Sequence, residues 1–131
     1  MSFALDVSKF VEKAKKNPEK VMRQVSIKLF SAIIKASPVD TGRFRMNWMA
    51  SGVTPASGIT DATDKSGNTA TGNATSFVLK AADWREFTLT NNLPYAQRLE
   101  YGWSQQAPQG FVRVNVSRFQ QLINEEANKV K

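Results

Sequence analysis

Four carboxylates are the residues best suited to acid-base chemistry in this chain. Two carboxyl groups held across a cleft can divide the work of general acid and general base or nucleophile. The candidates are Asp40, Asp83, Glu86 and Glu100. Nothing in their spacing sets two of them across one cleft, and isolated acids are usually surface or capping residues. We therefore expect no catalytic pair.

The composition removes the other common catalytic and ligand groups. The 131-residue chain contains no His and no Cys. Histidine bases, cysteine nucleophiles, disulfides and thiolate metal sites are therefore excluded. The chain also lacks a glycine-rich motif of the kind that cradles phosphates. We expect a protein that is not an enzyme and that holds neither a cofactor nor a metal ion.

Aromatic and basic residues interleave in two places, a pattern on which single-stranded nucleic acid can stack. The residues concerned are Arg43, Phe44, Arg45 and Trp48, and then Tyr95, Arg98, Tyr101 and Trp103. A structural explanation competes with this one. Phe44 and Trp48 are four residues apart and would share one buried face on a helix, and Tyr95 and Tyr101 could cover the edge of the core.

The formal net charge of +7 is concentrated near the N-terminus, because residues 1–50 hold ten Lys or Arg against four acids. A basic surface can bind nucleic acid or an acidic protein face, and it also keeps a protein soluble. A basic nucleic-acid-binding module is therefore retained as the alternative function. No segment approaches the roughly 20 apolar residues of a membrane span, and we expect a protein made in a cytoplasm without membrane contact.

Helices are predicted in the first third of the chain. A short amphipathic helix is indicated by apolar residues at helical spacing: Phe3, Val7, Phe10, Val11 and Ala14. A second helix should begin at 17–19, where Asn, Pro and Glu form a helix-start signal, and end near Ala36, before Pro38. Its predicted apolar face consists of Val21, Met22, Val25, Leu29, Ile33 and Ala36.

The middle of the chain begins with turn chemistry at Pro38–Arg43, which predicts a rigid corner. Residues 44–53 should form a short helical turn that leads into a strand. In residues 54–75, fifteen of 22 positions are Ser, Thr, Gly, Asn or Asp, which predicts a long flexible loop without packed structure. This loop could be a solvated hairpin tip or a segment that orders against a neighbouring subunit.

The second half contains further predicted elements. A short helix is expected at 75–82, a strand at 84–91, and a helical turn that Pro94 opens and Gly102 closes. From about Gly110 onward a long helix is predicted on the apolar stripe Val112, Val116, Phe119, Ile123 and Val130.

Together these elements predict one α+β domain over residues 1–131. Its N-terminal helices and its long C-terminal helix should pack on a small, mostly antiparallel sheet, with a flexible loop at about 54–75. The chain is long enough for one hydrophobic core but not for a second.

Three segments, taken in order, resemble a known family. They are Ser37–Arg45, Asn91–Gly102 and Pro108–Arg113, and in order and spacing they are similar to the small neck and tail-completion proteins of long-tailed bacteriophages, often classed as minor tail components. The ordered set spans nearly the whole chain apart from the loop. The chain departs from the family pattern at Gly110, where a second Pro is usual, and at Trp103, where small polar residues are frequent.

The resemblance implies an α+β subunit of the virion that assembles into a homo-oligomeric ring, usually a hexamer, at the head-to-tail junction. There it would complete the tail and join it to the filled head, without catalysis or a cofactor. The implied partners are copies of itself and the adjoining head-closure, tail-terminator or tail-tube proteins. The basic N-terminal half would face passing DNA without sequence specificity, or an acidic surface on an adjoining ring.

Ring assembly requires stiff surfaces, because one face of each subunit must match a different face of the next. The residues expected to brace the two turn-rich segments, or to contact a neighbouring subunit, are Pro38, Asp40, Thr41, Gly42, Arg43, Asn92, Pro94, Tyr95, Arg98, Glu100, Tyr101 and Gly102. The charged members should form polar contacts, and the two tyrosines should pack beside them. Bracing within one subunit and contact across a subunit boundary both remain open.

Overall fold

The computed structural model of the chain describes residues 3–6, 18–103, 106, 110–118 and 121. In chain order the elements are β1 (Phe3–Asp6), α1 (Pro18–Ala36), α2 (Arg43–Met46), β2 (Trp48–Ser51), α3 (Asn68–Lys80), β3 (Thr88–Asn91), α4 (Ala96–Arg98) and α5 (Val112–Ser117). Between α4 and α5 a wider, π-type turn covers Leu99–Trp103. The α+β class predicted from the sequence is confirmed.

The sheet has three strands in the order β1-β3-β2, and both pairings are antiparallel. Asn91 on the central strand lies opposite Phe3 on one side and Trp48 on the other. All four residues of β3 are buried. The sheet thus places the end of β3 next to α2 and β2, where the second turn-rich segment begins.

Helix α1 supplies much of the hydrophobic core. Its buried apolar side chains are Val21, Met22, Val25, Leu29, Phe30, Ile33 and Ile34. Each contributes about 1.5 to 3 kcal/mol when removed from water. The bounds and the predicted face are confirmed except at Ala36, which is exposed in the last turn. Phe30 and Ile34 are buried as well because α1 contacts both α3 and α5, which widens its apolar face.

The predicted N-terminal helix is wrong at Phe3–Asp6, which forms β1 instead. Its helical spacing is a local signal, whereas the open side of β3 offers four residues of backbone pairing. The rest of that predicted helix lies outside the described residues.

The expectation of a loop without packed structure is wrong for 68–75, which belongs to α3. Ala70, Ala74 and Val78 recur every four residues and are buried, so small side chains form the face that packs against α1. The helix predicted at 75–82 is the second half of this longer helix. Residues 55–67 form no helix or strand, as expected, but several hydrogen bonds attach them to the rest of the fold.

The second half follows the predicted order with shorter elements. The strand predicted at 84–91 is confirmed only for Thr88–Asn91, since Asp83 Oδ1 accepts a hydrogen bond from the Arg85 backbone N–H (3.0 Å) and forms a local turn there. Helix α5 covers only the beginning of the predicted long C-terminal helix, because it ends at Ser117 and Arg118 lies in a turn. Its extension through Phe119, Ile123 and Val130 lies outside the described residues. Within the described ranges, no helix combines the length and apolar character needed to traverse a bilayer.

Candidate functional site

Two turn-rich segments meet around one pocket of about 260 Å³. The first segment is Pro38–Arg43 and the second is Pro94–Gly102, more than 50 residues later in the sequence. The residues that line it are Pro38, Val39, Asp40, Thr41, Gly42, Phe44, Tyr95, Leu99 and Gln106. We call this feature the corner pocket. It brings together Pro38, Asp40, Thr41, Gly42 and Tyr95 from the predicted site. Four further lining residues, three apolar and one amide, were not part of that prediction: Val39, Phe44, Leu99 and Gln106.

The first segment is anchored to the end of α1 through Ser37, which is buried. The Ser37 hydroxyl donates to the Ile33 carbonyl (2.7 Å) and accepts from the Trp48 indole N–H (2.9 Å). These two hydrogen bonds of the Ser37 hydroxyl connect α1, the first segment and β2 inside the core. Pro38 is buried directly after it, so the polypeptide leaves α1 in one fixed direction.

Gly42 is one of the residues through which this segment contacts the loop at 55–67. Its φ is +92°, and its carbonyl accepts a hydrogen bond from the Asp64 backbone N–H (3.0 Å). A Cβ added at Gly42 would lie 2.6 Å from the Lys65 nitrogen and 2.7 Å from Asp64 backbone atoms. Both the conformation and the close backbone approach therefore require glycine at this position.

Asp64 is a buried carboxylate that the sequence prediction missed. It accepts hydrogen bonds from the backbone N–H groups of Gly67 (3.2 Å) and Ala70 (2.8 Å) and from the Ser66 hydroxyl (3.2 Å). First-turn N–H groups have no partner within their own helix, and a carboxylate also complements the helix dipole. The available signal was an Asp and a Ser shortly before a glycine and a run of small residues, which is typical of a helix start.

We predict that Asp64→Ala lowers the free energy of unfolding by about 1 to 3 kcal/mol, because the N–H groups of Gly67 and Ala70 would lose their buried acceptor. Urea denaturation followed by circular dichroism measures this change. Asp61→Ala is the matched control, since the Asp61 side chain is 97% exposed in its ion pair with Arg43 and should change stability by less than about 0.5 kcal/mol. Equal effects of the two substitutions would contradict the capping role of Asp64.

Two arginines beside the corner pocket bind backbone carbonyls of their own chain. Arg45 donates to Lys35 (2.8 Å), Ser37 (3.0 Å) and Lys65 (2.7 Å) carbonyl oxygens. Desolvation by burial lowers the pKa of its guanidinium, and the charge of Asp64 opposes that shift. Arg43 donates to the Thr60 carbonyl (3.1 Å) and pairs with Asp61 (3.1 Å). The polar contact predicted for Arg43 therefore lies within the subunit.

Two asparagines tie the loop at 55–67 to the sheet. Asn47, which the sequence prediction missed, donates to the Thr60 carbonyl (2.9 Å) and accepts from the Thr60 N–H (2.9 Å). Asn92, which it included, donates to the Ala56 (2.9 Å) and Gly58 (3.1 Å) carbonyls. The loop is therefore held at two points by side-chain amides.

The second segment is braced by Glu100, whose side chain is 1% exposed. Its carboxylate accepts backbone N–H bonds from Phe111 (2.7 Å), Val112 (2.9 Å) and Arg113 (2.7 Å), and it pairs with the Arg113 guanidinium (3.1 Å). A carboxylate that accepts several N–H bonds at the start of a helix is well satisfied. Of the two roles left open for Glu100, the observed contacts give the intramolecular brace.

The aromatic residues of this segment have different surroundings. Tyr95 is half-buried, and its ring centroid lies 6.0 Å from that of Phe44. Tyr101 is 62% exposed and does not cover the core. Its ring instead supports the Arg113 guanidinium at 4.7 Å from the ring centroid, a cation–π contact.

The remaining predicted residues lie at the surface of the second segment. Pro94, Arg98 and Gly102 are exposed, and Gly102 has a φ of +92° at the end of the π-type turn. On the other side of the corner pocket, Gln106 donates to the Val39 carbonyl (2.7 Å) and accepts from the Val39 N–H (2.8 Å). This pair was not expected and closes one wall of the pocket.

Two of the four candidate carboxylates, Asp83 and Glu100, are engaged in separate local contacts. The Asp83 carboxylate faces Arg85, whose side-chain hydrogen bond lowers the pKa of Asp83, and Glu100 is occupied by backbone donors. The described residues include no group of three or more acidic, His or Cys side chains that could hold a metal ion. The corner pocket is smaller than the roughly 300 to 1,000 Å³ of typical small-molecule sites.

The aromatic and basic set considered for nucleic acid is largely committed to the fold. Phe44 and Trp48 are 6% and 3% exposed, and both make edge contacts with the buried Phe111 ring. These two rings cannot stack on bases without unfolding.

Comparisons of this chain with models of known protein families, with curated proteins and with solved structures give no match.

Proposed function

We propose that this chain is a structural virion protein of the head-to-tail junction of a tailed bacteriophage. Copies of it assemble into a ring, with six subunits in the layout that the sequence resemblance implies. The ring completes the tail and joins it to the filled head. It acts by fitting surfaces together and makes or breaks no covalent bond.

The observation that carries this proposal is the meeting of two of the resembling segments around the corner pocket. Each segment is fixed by a buried polar group, Ser37 for the first and Glu100 for the second. Subunits of a closed ring must repeat one contact geometry many times, so an angular error in a flexible surface would prevent closure. A pocket whose walls are hydrogen-bonded to the core suits that requirement.

The neighbours proposed for the ring are the head-closure, tail-terminator or tail-tube proteins on either side. The basic excess of the chain gives them a surface for electrostatic docking, or gives passing DNA a non-specific contact. The proposal needs no bound cofactor.

The alternative function, a basic nucleic-acid-binding module, is supported by the net charge of +7. It is weakened by the burial of Phe44 and Trp48 and by the engagement of Arg43 and Arg45 with backbone carbonyls. Charge alone gives non-specific affinity that falls steeply with salt.

Size-exclusion chromatography with light scattering, beside a titration with duplex DNA, separates these two functions. The proposal predicts a discrete oligomer whose population increases with protein concentration. It also predicts a weak affinity for duplex DNA. A chain that stays monomeric at every concentration and binds DNA tightly, with strong salt dependence, would contradict the proposal and favour the alternative.

A further inference from the structure

The two ends of the layer formed by α1 and α3 carry different surfaces. At one end the Lys35 ammonium donates to the Asn68 side chain (2.8 Å), and at the other the Arg23 guanidinium binds the Val78 and Ala81 carbonyls. The two helices are therefore antiparallel. At 1.5 Å per residue, the twelve residues from Arg23 to Lys35 separate these ends by about 18 Å.

The corner pocket lies at the first of these ends, directly after α1. Its apolar walls come from Pro38, Phe44, Tyr95 and Leu99. Asp40 lies at its rim, is exposed, and forms no ion pair with any described residue. The volume of about 260 Å³ suits a single side chain better than a small-molecule ligand.

The opposite end carries an exposed apolar side chain beside a positive charge. Leu79 is 60% exposed near the end of α3. Lys80 follows it, is exposed, and has no ion-pair partner among the described residues. The backbone beneath them is held rigidly, because Arg23 binds the carbonyls of Val78, Leu79 and Ala81. Leu79 is thus a fixed projection rather than part of a mobile end.

We propose that copies of this chain associate through two different faces, with Leu79 of one copy inserted into the corner pocket of the next. Lys80 of the first copy then pairs with Asp40 at the rim of that pocket. An apolar projection on one face and a complementary pocket on a different face give a heterologous contact, which repeats until the ring closes. This inference rests on the self-assembly in the proposed function and adds the two surfaces that carry it.

Because the chain contains no Cys, engineered cysteines can test this contact without competing disulfides from native cysteines. Leu79→Cys and Thr41→Cys combined in one chain should give a ladder of covalent oligomers under mild oxidation, since Thr41 lines the pocket. Each single variant should give no ladder, because it offers only one of the two surfaces. Leu79→Cys combined with Ser57→Cys is the matched control, since Ser57 is exposed but lies outside the pocket lining.

A reciprocal charge reversal tests the proposed ion pair. Asp40→Lys and Lys80→Asp should each weaken self-association by about tenfold or more, because like charges would meet in the contact. The double variant should recover most of that loss. Thermal melting of each variant, followed by circular dichroism, verifies that the monomer remains folded, as expected for exposed positions.

The outcomes separate this contact from the proposed function. If the native chain forms a discrete oligomer but the Leu79→Cys, Thr41→Cys pair gives no more ladder than the Ser57→Cys control, the contact is wrong and ring assembly stands. If the native chain is monomeric at every soluble concentration and no ladder forms, both are overturned. A ladder specific to the pocket pair, with recovery in the double charge reversal, supports the contact.

Discussion

Glu100→Ala should lower the free energy of unfolding by about 3 to 5 kcal/mol, because a buried carboxylate that accepts bonds from four donors would be removed. The backbone N–H groups of Phe111 and Val112 are buried and would lose their acceptor. The substitution would also leave a cavity at the junction of the π-type turn and α5. Urea denaturation of the purified chain measures the change directly.

Arg113→Ala is the matched control for this prediction. It removes the guanidinium that pairs with Glu100 but keeps the backbone bonds, and the Arg113 side chain is 54% exposed. A partly exposed ion pair contributes little, so a loss of about 1 kcal/mol is expected. If Glu100→Ala costs no more than Arg113→Ala, the carboxylate is not the brace of the second segment.

Gly42→Ala should destabilise the fold by about 2 to 5 kcal/mol, since it combines a strained positive φ with overpacking. The new Cβ would approach Lys65 and Asp64 backbone atoms at 2.6 and 2.7 Å, and neither can move without breaking the Asp64 cap on α3. The corner pocket should lose its shape together with stability. Thermal melting and the cysteine ladder described above measure these two effects separately.

Gly72→Ala provides the contrasting control. Gly72 lies within α3, and a Cβ there would meet no atom within 4 Å. Alanine in an exposed helical position should therefore stabilise the chain by about 0.5 to 1 kcal/mol. If Gly42→Ala melts at the same temperature as the native protein, the close approach of the first segment to the loop is not required for folding.

The features that the sequence predicted correctly are those with strong local signals. Helix α1 has a start signal, an apolar stripe and a proline that follows its end, so its bounds could be read directly. The turn at Pro38–Arg43, the strand after it and the positive φ at Gly102 were also predictable, because proline and glycine restrict or permit particular backbone angles.

The wrong predictions occur where distant contacts decide the structure. Phe3–Asp6 carries helical spacing but pairs with β3, and no local pattern announces that partner. The helical residues 68–75 are small and polar enough to suggest a flexible loop, yet Ala70 and Ala74 fit closely against α1. Burial of such small side chains depends on the neighbouring helix and leaves little trace in hydropathy.

In the candidate site, too, the residues with local sequence signals were predicted and the contacts set by the tertiary fold were not. The two turn-rich segments and their members Gly42, Tyr95 and Glu100 were selected from the sequence, but the acceptor and donor partners were not. The Asp64 backbone N–H contacts the Gly42 carbonyl, 22 positions away, and the Gln106 side chain contacts Val39, 67 positions away. Which side chain closes a pocket wall is set by the tertiary fold, and single-sequence patterns do not encode it in a readable form.

The sequence is connected to the proposed function by the rigidity of the turns around the corner pocket. Buried hydrogen-bond acceptors at Ser37, Asp64 and Glu100 fix the turns around the corner pocket. Fixed turns hold Asp40 and the apolar walls at constant angles relative to Leu79 at the other end of the helix layer. Repeated association of subunits requires two complementary surfaces on different faces, and the corner pocket and Leu79 are such a pair.

The most direct test of the central claim is electron microscopy of particles produced by a phage that carries this gene with an early stop codon. The account predicts filled heads and separate tails, and joined particles when the native chain is supplied from a plasmid. Joined, fully infectious particles in the absence of the chain would contradict it.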